Sequence, residues 1–492
     1  MSRLEQGAGD LLRSPQAGAL VIRGGAIRSA GYGASAALGA FASVFLLRGL
    51  SVEDFGRFAT VGALLAIVST LSDAGLTAVG ARELSLRSTA PERTALLGNL
   101  VALRLWLAAA AIGAAALFAV AAGYDGVMVA GVLLGGVGVL LVNTQATMMT
   151  PLSVELRQGR ITAIEVLRSA VTLVAIAVLA LAGASLLPYF TVQILVGVVV
   201  LALTPWLLSS AAGLAPRIDR PAAWALLKAA APVGLALAMN VLYLRLLVVL
   251  VSLQTDATET GLYGTAFRIV ELVIVLPPML VGIAIPLLAV AGTEDLGRLR
   301  YALQGLTEMA VVVGLGLSLV LAVLAEPALR LLGGAEKYTG ATEMLQIQVW
   351  ALVPLGIGNI LAVGLLSLGR QRMIAVANAV AVVVVLSVGL VLIAAYGGRG
   401  AALAGVVAEV VLLVALAAFL AQAERAVLPS AAFVWRPLVA LAAGAATLLV
   451  PLPAWVDGAV AAAVFVAVAL AVRAVPAEIL LALRRRAPGD LP

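Results

Sequence analysis

The chain has 492 residues, of which 63% are hydrophobic and 11% charged, against about 25% charged in soluble domains; the mean hydropathy is +1.14. That balance excludes a water-soluble globular domain and identifies a polytopic membrane protein. The net charge of +6, with no cysteine and no histidine, excludes disulfide and thiol chemistry, the commonest metal ligand and the usual proton shuttle.

The apolar runs come in blocks long enough to cross a hydrocarbon core of about 30 Å as helices. Barrel-type alternation is absent, so the predicted fold class is all-α. In chain order, residues 1–29 carry Arg3, Arg13, Arg23 and Arg28 without an apolar h-region, and they read as a retained cytoplasmic tail. Fourteen spans follow at 30–47, 58–81, 96–121, 126–149, 161–182, 187–209, 226–252, 261–290, 301–325, 341–366, 373–395, 400–421, 433–453 and 455–474.

The connecting segments are short and leave no room for a soluble domain between spans. Residues 211–225 form a cytoplasmic linker and 475–492 a basic cytoplasmic tail. Fourteen spans put both termini on one side. Of the 31 Lys and Arg, 22 fall on the side of the termini and five on the other, a bias that predicts cytoplasmic termini.

The chain also echoes itself. Glu53-Asp54-Phe55-Gly56, opening span 2, matches Glu259-Thr260-Gly261 opening span 8 at an offset of 205, and Gly159-Arg160 matches Gly369-Arg370 at an offset of 210. Two matches at nearly one offset predict parallel six-helix lobes, 30–210 and 226–421, around a central cavity, with two extra C-terminal helices at 433–474. Chance recurrence of glycine and aromatic residues at membrane boundaries is the alternative.

The charges inside the spans are the candidate functional residues, because an ionised side chain in hydrocarbon is costly and needs a partner or a polar pathway. Arg245 lies roughly 10 Å from the outer end of span 7, with no acid one turn away on its own helix. Gly234, Ala238 and Ser252 share its face and leave room beside the guanidinium for a hydrated cavity, with an interhelical ion pair, for example to Glu308, as the alternative. Arg104 in span 3 has no acid one turn away either; it meets an anion from the opposite leaflet or snorkels inward. Arg268 with Glu271 and Arg168 with Glu165 stand three residues apart, spacing for local pairs. Asp73, Glu308 and Glu409 are acids without a nearby cation on their own helices, open either to proton or sodium coupling or to pairing across the bundle. Pro232, Pro277, Pro278, Pro286 and Pro354 remove backbone donors and bend their helices; Pro232, Pro277 and Pro278 are the candidate hinges.

Leu47-Arg48-Gly-Leu-Ser-Val-Glu-Asp-Phe-Gly56-Arg-Phe58-Ala, then Asp73-Ala-Gly75-Leu and Ala81-Arg82-Glu83, resemble the opening of O-antigen-type polysaccharide flippases. These belong to the multidrug, oligosaccharidyl-lipid and polysaccharide (MOP) exporter superfamily. Gly261-Leu-Tyr263-Gly-Thr-Ala266-Phe-Arg268-Ile-Val-Glu271, with Leu276-Pro277 and Pro286, resembles the same family's span 8; Gly369-Arg370 and Gly400-Ala401-Ala402 fit too. The resemblance covers about residues 30–425.

It implies two six-helix lobes in a V, a central cationic cavity, and movement of a polyprenyl-diphosphate-linked oligosaccharide from the cytoplasmic to the outer leaflet. No catalytic group, metal or cofactor is implied; coupling is to protons, sodium or membrane potential. The partners are the lipid-linked glycan, membrane lipids and other polysaccharide-assembly proteins, in a bacterial inner membrane, with no nucleic acid. Arg245, Arg104 and Arg268 would bind the diphosphate and glycan. Asp73, Glu165, Arg168, Glu271, Glu308 and Glu409 would supply coupling or cavity ion pairs. The family often has an aspartate close after the polar residue of span 7, where this chain has Arg245-Leu246-Leu247. The alternatives are a multidrug cation exporter of the same superfamily, and a membrane glycan polymerase or scaffold.

Overall fold

Hydrocarbon offers the backbone no hydrogen-bond partner, so each apolar run satisfies its amides by closing its own helical bonds. The computed structural model of the protein describes residues 15–155, 157–207, 216, 218–274, 296–334, 336–450 and 453–475, and these contain helices and no strand. Eleven of the described helices are long and apolar enough to cross a membrane.

The first half of the chain forms α1 (Pro15–Gly49), α2 (Val52–Asp73), α3 (Leu76–Leu86), α4 (Ala90–Ala121), α5 (Gly126–Met148), the short α6 (Thr150–Val154), α7 (Gln158–Leu181) and α8 (Leu186–Leu207). The second half forms α9 (Arg220–Gln254), α10 (Ala257–Ile274), α11 (Leu296–Val323), α12 (Ala325–Gly333), α13 (Thr342–Gln348), α14 (Leu352–Ser367), α15 (Gln371–Glu424), α16 (Trp435–Ala446) and α17 (Ala454–Ala471). Three differences from the expected spans have local causes. Span 2 is broken, because Ala74 (φ 42°) and Gly75 (φ 80°) turn the chain between α2 and α3. Span 10 is divided into α13, a 3-10 turn at Val349–Ala351, and α14, where Pro354 lacks the N–H that would continue the helix. Spans 11 and 12 run together as α15 but are separated at Gly397, whose φ of 57° and ψ of −135° lie outside the helical region.

Contacts divide the chain into two units, 1–50 with 64–238 and 51–63 with 239–492. The division does not fall at the expected linker 211–225, because α2 and α9 each belong partly to both.

Within the first unit, glycines let helices approach closely, as they do in membrane bundles where dispersion, with little hydrophobic drive, holds helices together. A methyl on Gly131 of α5 would lie 2.6 Å from the Phe190 ring of α8, and one on Gly138 would lie 2.5 Å from Gln193 Cβ. Gly75 and Gly234 seat the α2–α3 turn against α9, since a methyl on Gly75 would lie 2.7 Å from the Ala230 carbonyl and one on Gly234 would strike the Ala74 backbone. The space beside Gly234 is therefore filled by backbone, which corrects the expectation that it opens room next to Arg245.

The second unit has an apolar core in which Val311, Leu315 and Leu319 of α11 pack with Phe433, Ala440, Ala461 and Phe465; spans 13 and 14 are thus part of this unit. Its other feature is a crossing of the two echoing motifs. A methyl on Gly56 of α2 would strike the Ala257 carbonyl, and one on Gly261 of α10 would strike the Val52 carbonyl. Each helix start uses its glycine to admit the other's backbone, so the echo in the sequence marks a reciprocal contact.

Candidate functional site

In the first unit, α2, α3, α4 and α5 bring a polar cluster into an apolar surround. Arg104 is 2% exposed. Its guanidinium donates to the Asp73 carboxylate, to Thr77 Oγ1 at 2.8 Å and to the Asn143 backbone carbonyl at 2.6 Å. Thr77 also donates its hydroxyl to Asp73. The Asn143 side chain donates to Ser72 Oγ at 2.6 Å and to the Ser69 carbonyl at 3.1 Å. Both Asp73 and Arg104 thus find their counter-charge across the bundle, and Arg104 faces no open cavity. The sequence reading missed Ser69, Ser72, Thr77 and Asn143; the polar run Asn143-Thr144-Gln145 inside an apolar span was the available signal.

In the second unit, α9 and α10 bring Arg245 and Glu271 together, a pair the sequence reading did not make. One carboxylate is shared: Glu271 Oε1 accepts from Arg245 and Oε2 accepts from Arg268 at 2.8 Å. The Arg245 guanidinium also lies over the Phe267 ring, 5.5 Å from its centroid, a cation–π contact. Arg245 keeps 28% of its side chain exposed and Arg268 37%. The cluster therefore leaves its guanidiniums partly exposed, unlike Arg104.

The remaining acids sit apart from these clusters. Glu409 of α15 is buried, is hydrogen-bonded by the Tyr243 hydroxyl, and borders a cavity of about 50 Å³ with Tyr243, Tyr263 and Gln348. Glu308 of α11 accepts from the Gln304 amide at 2.8 Å. Arg168 and Glu165 of α7 do not form the ion pair that their spacing suggested; Arg168 lines a polar cavity instead. Pro232 lies inside α9, whereas Pro277, Pro278 and Pro286 lie outside the described residues. Among the described residues no cluster of His, Cys, Asp or Glu suits a metal ion.

Residues 232–392 match the model of the MatE family. No curated protein matches the chain. Among solved structures it is similar to the lipid II flippase MurJ in an inward closed conformation, with 13% identity and a TM-score of 0.75 over 93% of this chain and 100% of that one. It is also similar to an inward-facing multidrug resistance MATE family transporter of the MOP superfamily, with 15% identity and a TM-score of 0.67 over 79% of this chain and 96% of that one. A third is a MOP superfamily transporter from Pyrococcus furiosus in which a binding pocket of reverse polarity suggests a different function, with 15% identity and a TM-score of 0.59 over 84% and 96%. The chain is a multi-pass membrane protein with the fold of the MOP superfamily transporters.

Proposed function

We propose that the protein is a flippase that moves a polyprenyl-diphosphate-linked oligosaccharide from the cytoplasmic to the outer leaflet for cell-surface polysaccharide assembly. The observation that carries this reading is the Arg245–Glu271–Arg268 cluster of α9 and α10, two partly exposed guanidiniums sharing one carboxylate. The similarity in fold to the lipid II flippase MurJ supports it.

The physical task is to carry a diphosphate and polar sugars across hydrocarbon, and it needs no covalent step. Arg245 and Arg268 supply charge-assisted donors to the phosphate oxygens, with Glu271 holding both side chains in position until the substrate arrives. The prenyl tail stays in lipid. Alternation between inward and outward access then moves the headgroup, with protons, sodium or membrane potential as the driving term. Arg104 belongs to the packing of the first unit in this scheme, because it is 2% exposed and both of its terminal nitrogens are held by Asp73, Thr77 and Asn143. Buried Glu409 is the acid best sheltered from any arginine and is the coupling group we favour, with Tyr243 as its partner.

The alternative of a multidrug cation exporter is supported by the MATE neighbours. It is disfavoured by the guanidiniums of Arg245 and Arg268 at the partly exposed cluster, where the Glu271 carboxylate is already held by both.

The test is translocation of a polyprenyl-diphosphate-linked glycan in proteoliposomes, comparing the unaltered protein with Arg245→Ala after checking that the variant is folded and inserted. We expect at least a tenfold loss of rate, since a charge-assisted hydrogen bond is worth about 1.5–3 kcal/mol and 1.4 kcal/mol is a factor of ten. Equal rates would remove Arg245 from the headgroup site. Export of a cationic dye with no glycan-lipid movement would favour the exporter.

A further inference from the structure

Arg168 stands ten residues into the 24-residue α7, about 15 Å along its axis and so near mid-span, where a guanidinium is most expensive. Among the described residues no carboxylate lies within ion-pair distance of it, Glu165 included. Its side chain is exposed, so neither burial nor neutralisation accounts for it.

Arg168 instead borders a cavity of about 250 Å³ with Ser169, Thr172, Gln193, Gly39 and Val142, all within the first unit. The hydroxyls of Ser169 and Thr172 donate to their own helix, at 3.1 Å to the Glu165 carbonyl and 2.8 Å to the Arg168 carbonyl. The donors left to face the cavity are the Arg168 guanidinium and the Gln193 amide. The lining contains a cation and no acid. At Gly39 an added methyl would meet nothing within 4 Å, so the space is open on the α1 side. At about 30 Å³ per water, the volume equals roughly eight waters: room for a phosphate or diphosphate, with any sugar chain lying outside.

From this geometry we infer that the Arg168 cavity is a second anion site, which binds the phosphate oxyanion of a lipid headgroup at mid-span. The planar guanidinium presents paired N–H groups to phosphate oxygens, and Gln193 adds a neutral donor from α8. A cation is repelled by Arg168, and an apolar ligand would leave both donors unmet. The choice of a diphosphate lipid as ligand rests on the flippase reading. The site itself shares no residue with the Arg245 cluster.

The test uses the full chain in detergent micelles, with lipid binding read by native mass spectrometry. The probes are undecaprenyl diphosphate, undecaprenol and inorganic pyrophosphate; the variants are Arg168→Gln, Arg168→Lys and Gly39→Leu, each checked by thermal unfolding. We expect the unaltered protein to bind undecaprenyl diphosphate at least tenfold more tightly than undecaprenol. In an Arg245→Ala background, which removes the headgroup contact of the other cluster, Arg168→Gln should erase that preference and Arg168→Lys should restore part of it. Gly39→Leu, which keeps the charge but fills the space, should weaken diphosphate binding about tenfold and answers the question even if Arg168→Gln fails to fold.

An unchanged preference in folded Arg168→Gln, or in Gly39→Leu, in the Arg245→Ala background overturns the site. Pyrophosphate binding that depends on Arg168, with no lipid preference, overturns the lipid headgroup as its source. Arg168-dependent lipid binding without any glycan-lipid translocation by the unaltered protein would sink the flippase reading and leave the site standing. Translocation sensitive to Arg245→Ala with binding indifferent to Arg168 would do the reverse.

Discussion

Asp73 and Arg104 exemplify an ion pair whose two halves are each costly alone. Removing one partner of a buried pair leaves an uncompensated charge, at a cost of about 3–5 kcal/mol. Asp73→Asn and Arg104→Leu are each expected to lower the unfolding midpoint in micelles strongly, and the double variant to recover part of the loss; additive losses would mean that the pair is not coupled. At the other cluster, Glu271→Gln should keep the fold but release Arg245 and Arg268 from their shared carboxylate. If these arginines meet the headgroup, this variant binds the diphosphate lipid more tightly and turns over more slowly; weaker binding would count against them. The Arg268–Glu271 contact was legible because three residues on a helix fix a shared face. The partners of Arg104 and Arg245 were not, because Asp73 and Glu271 lie 31 and 26 residues away, and nothing in a single sequence says which faces meet.

The contacts between helix starts belong to a larger scale. Gly56 and Gly261 admit one another's backbones where no side chain fits, so neither tolerates bulk. Gly56→Leu and Gly261→Leu are each expected to cost 1–3 kcal/mol or more through overpacking, read as a lowered unfolding midpoint. Tolerance at both positions would show that α2 and α10 separate freely. The offset of 205 residues was visible in the sequence, but the reciprocity of the contact was not, since periodicity reports likeness and not proximity. The turn of α15 depends on side chains from elsewhere. Glu259 Oε1 accepts from the Gly398 amide at 2.8 Å, and Glu343 pairs with Arg399 at 2.8 Å. Glu259→Ala should therefore increase amide hydrogen exchange around 397–400 while sparing the body of α15, and unchanged protection there would refute this fastening. The sequence places spans 11 and 12 at 373–395 and 400–421, without revealing that a single glycine makes the turn.

For the whole molecule, the all-α fold and the approximate positions of the spans followed from length and hydropathy, because the bilayer imposes both. Breaks such as Ala74–Gly75 did not, since hydropathy averages over the residue that bends the chain. Membrane orientation is still open to direct measurement. The chain has no cysteine, so single-cysteine labelling needs no background removed. Ser88→Cys is expected to react only with reagents that reach the cytoplasm and Glu336→Cys only with impermeant reagents added outside; the opposite pattern would invert the topology drawn from the Lys and Arg bias.

The Gly397 turn bears on how the protein is made. A straight helix of 54 residues would be about 81 Å long, far more than the roughly 30 Å of hydrocarbon available. The chain instead doubles back so tightly that a methyl on Gly400 would strike the Leu392 carbonyl. With so little polar chain between the two arms, neither can be delivered to the bilayer and left to wait for the other. The two arms are therefore expected to enter the bilayer together as one hairpin, and a side chain at residue 397, where φ is 57°, is expected to lower the yield of inserted protein.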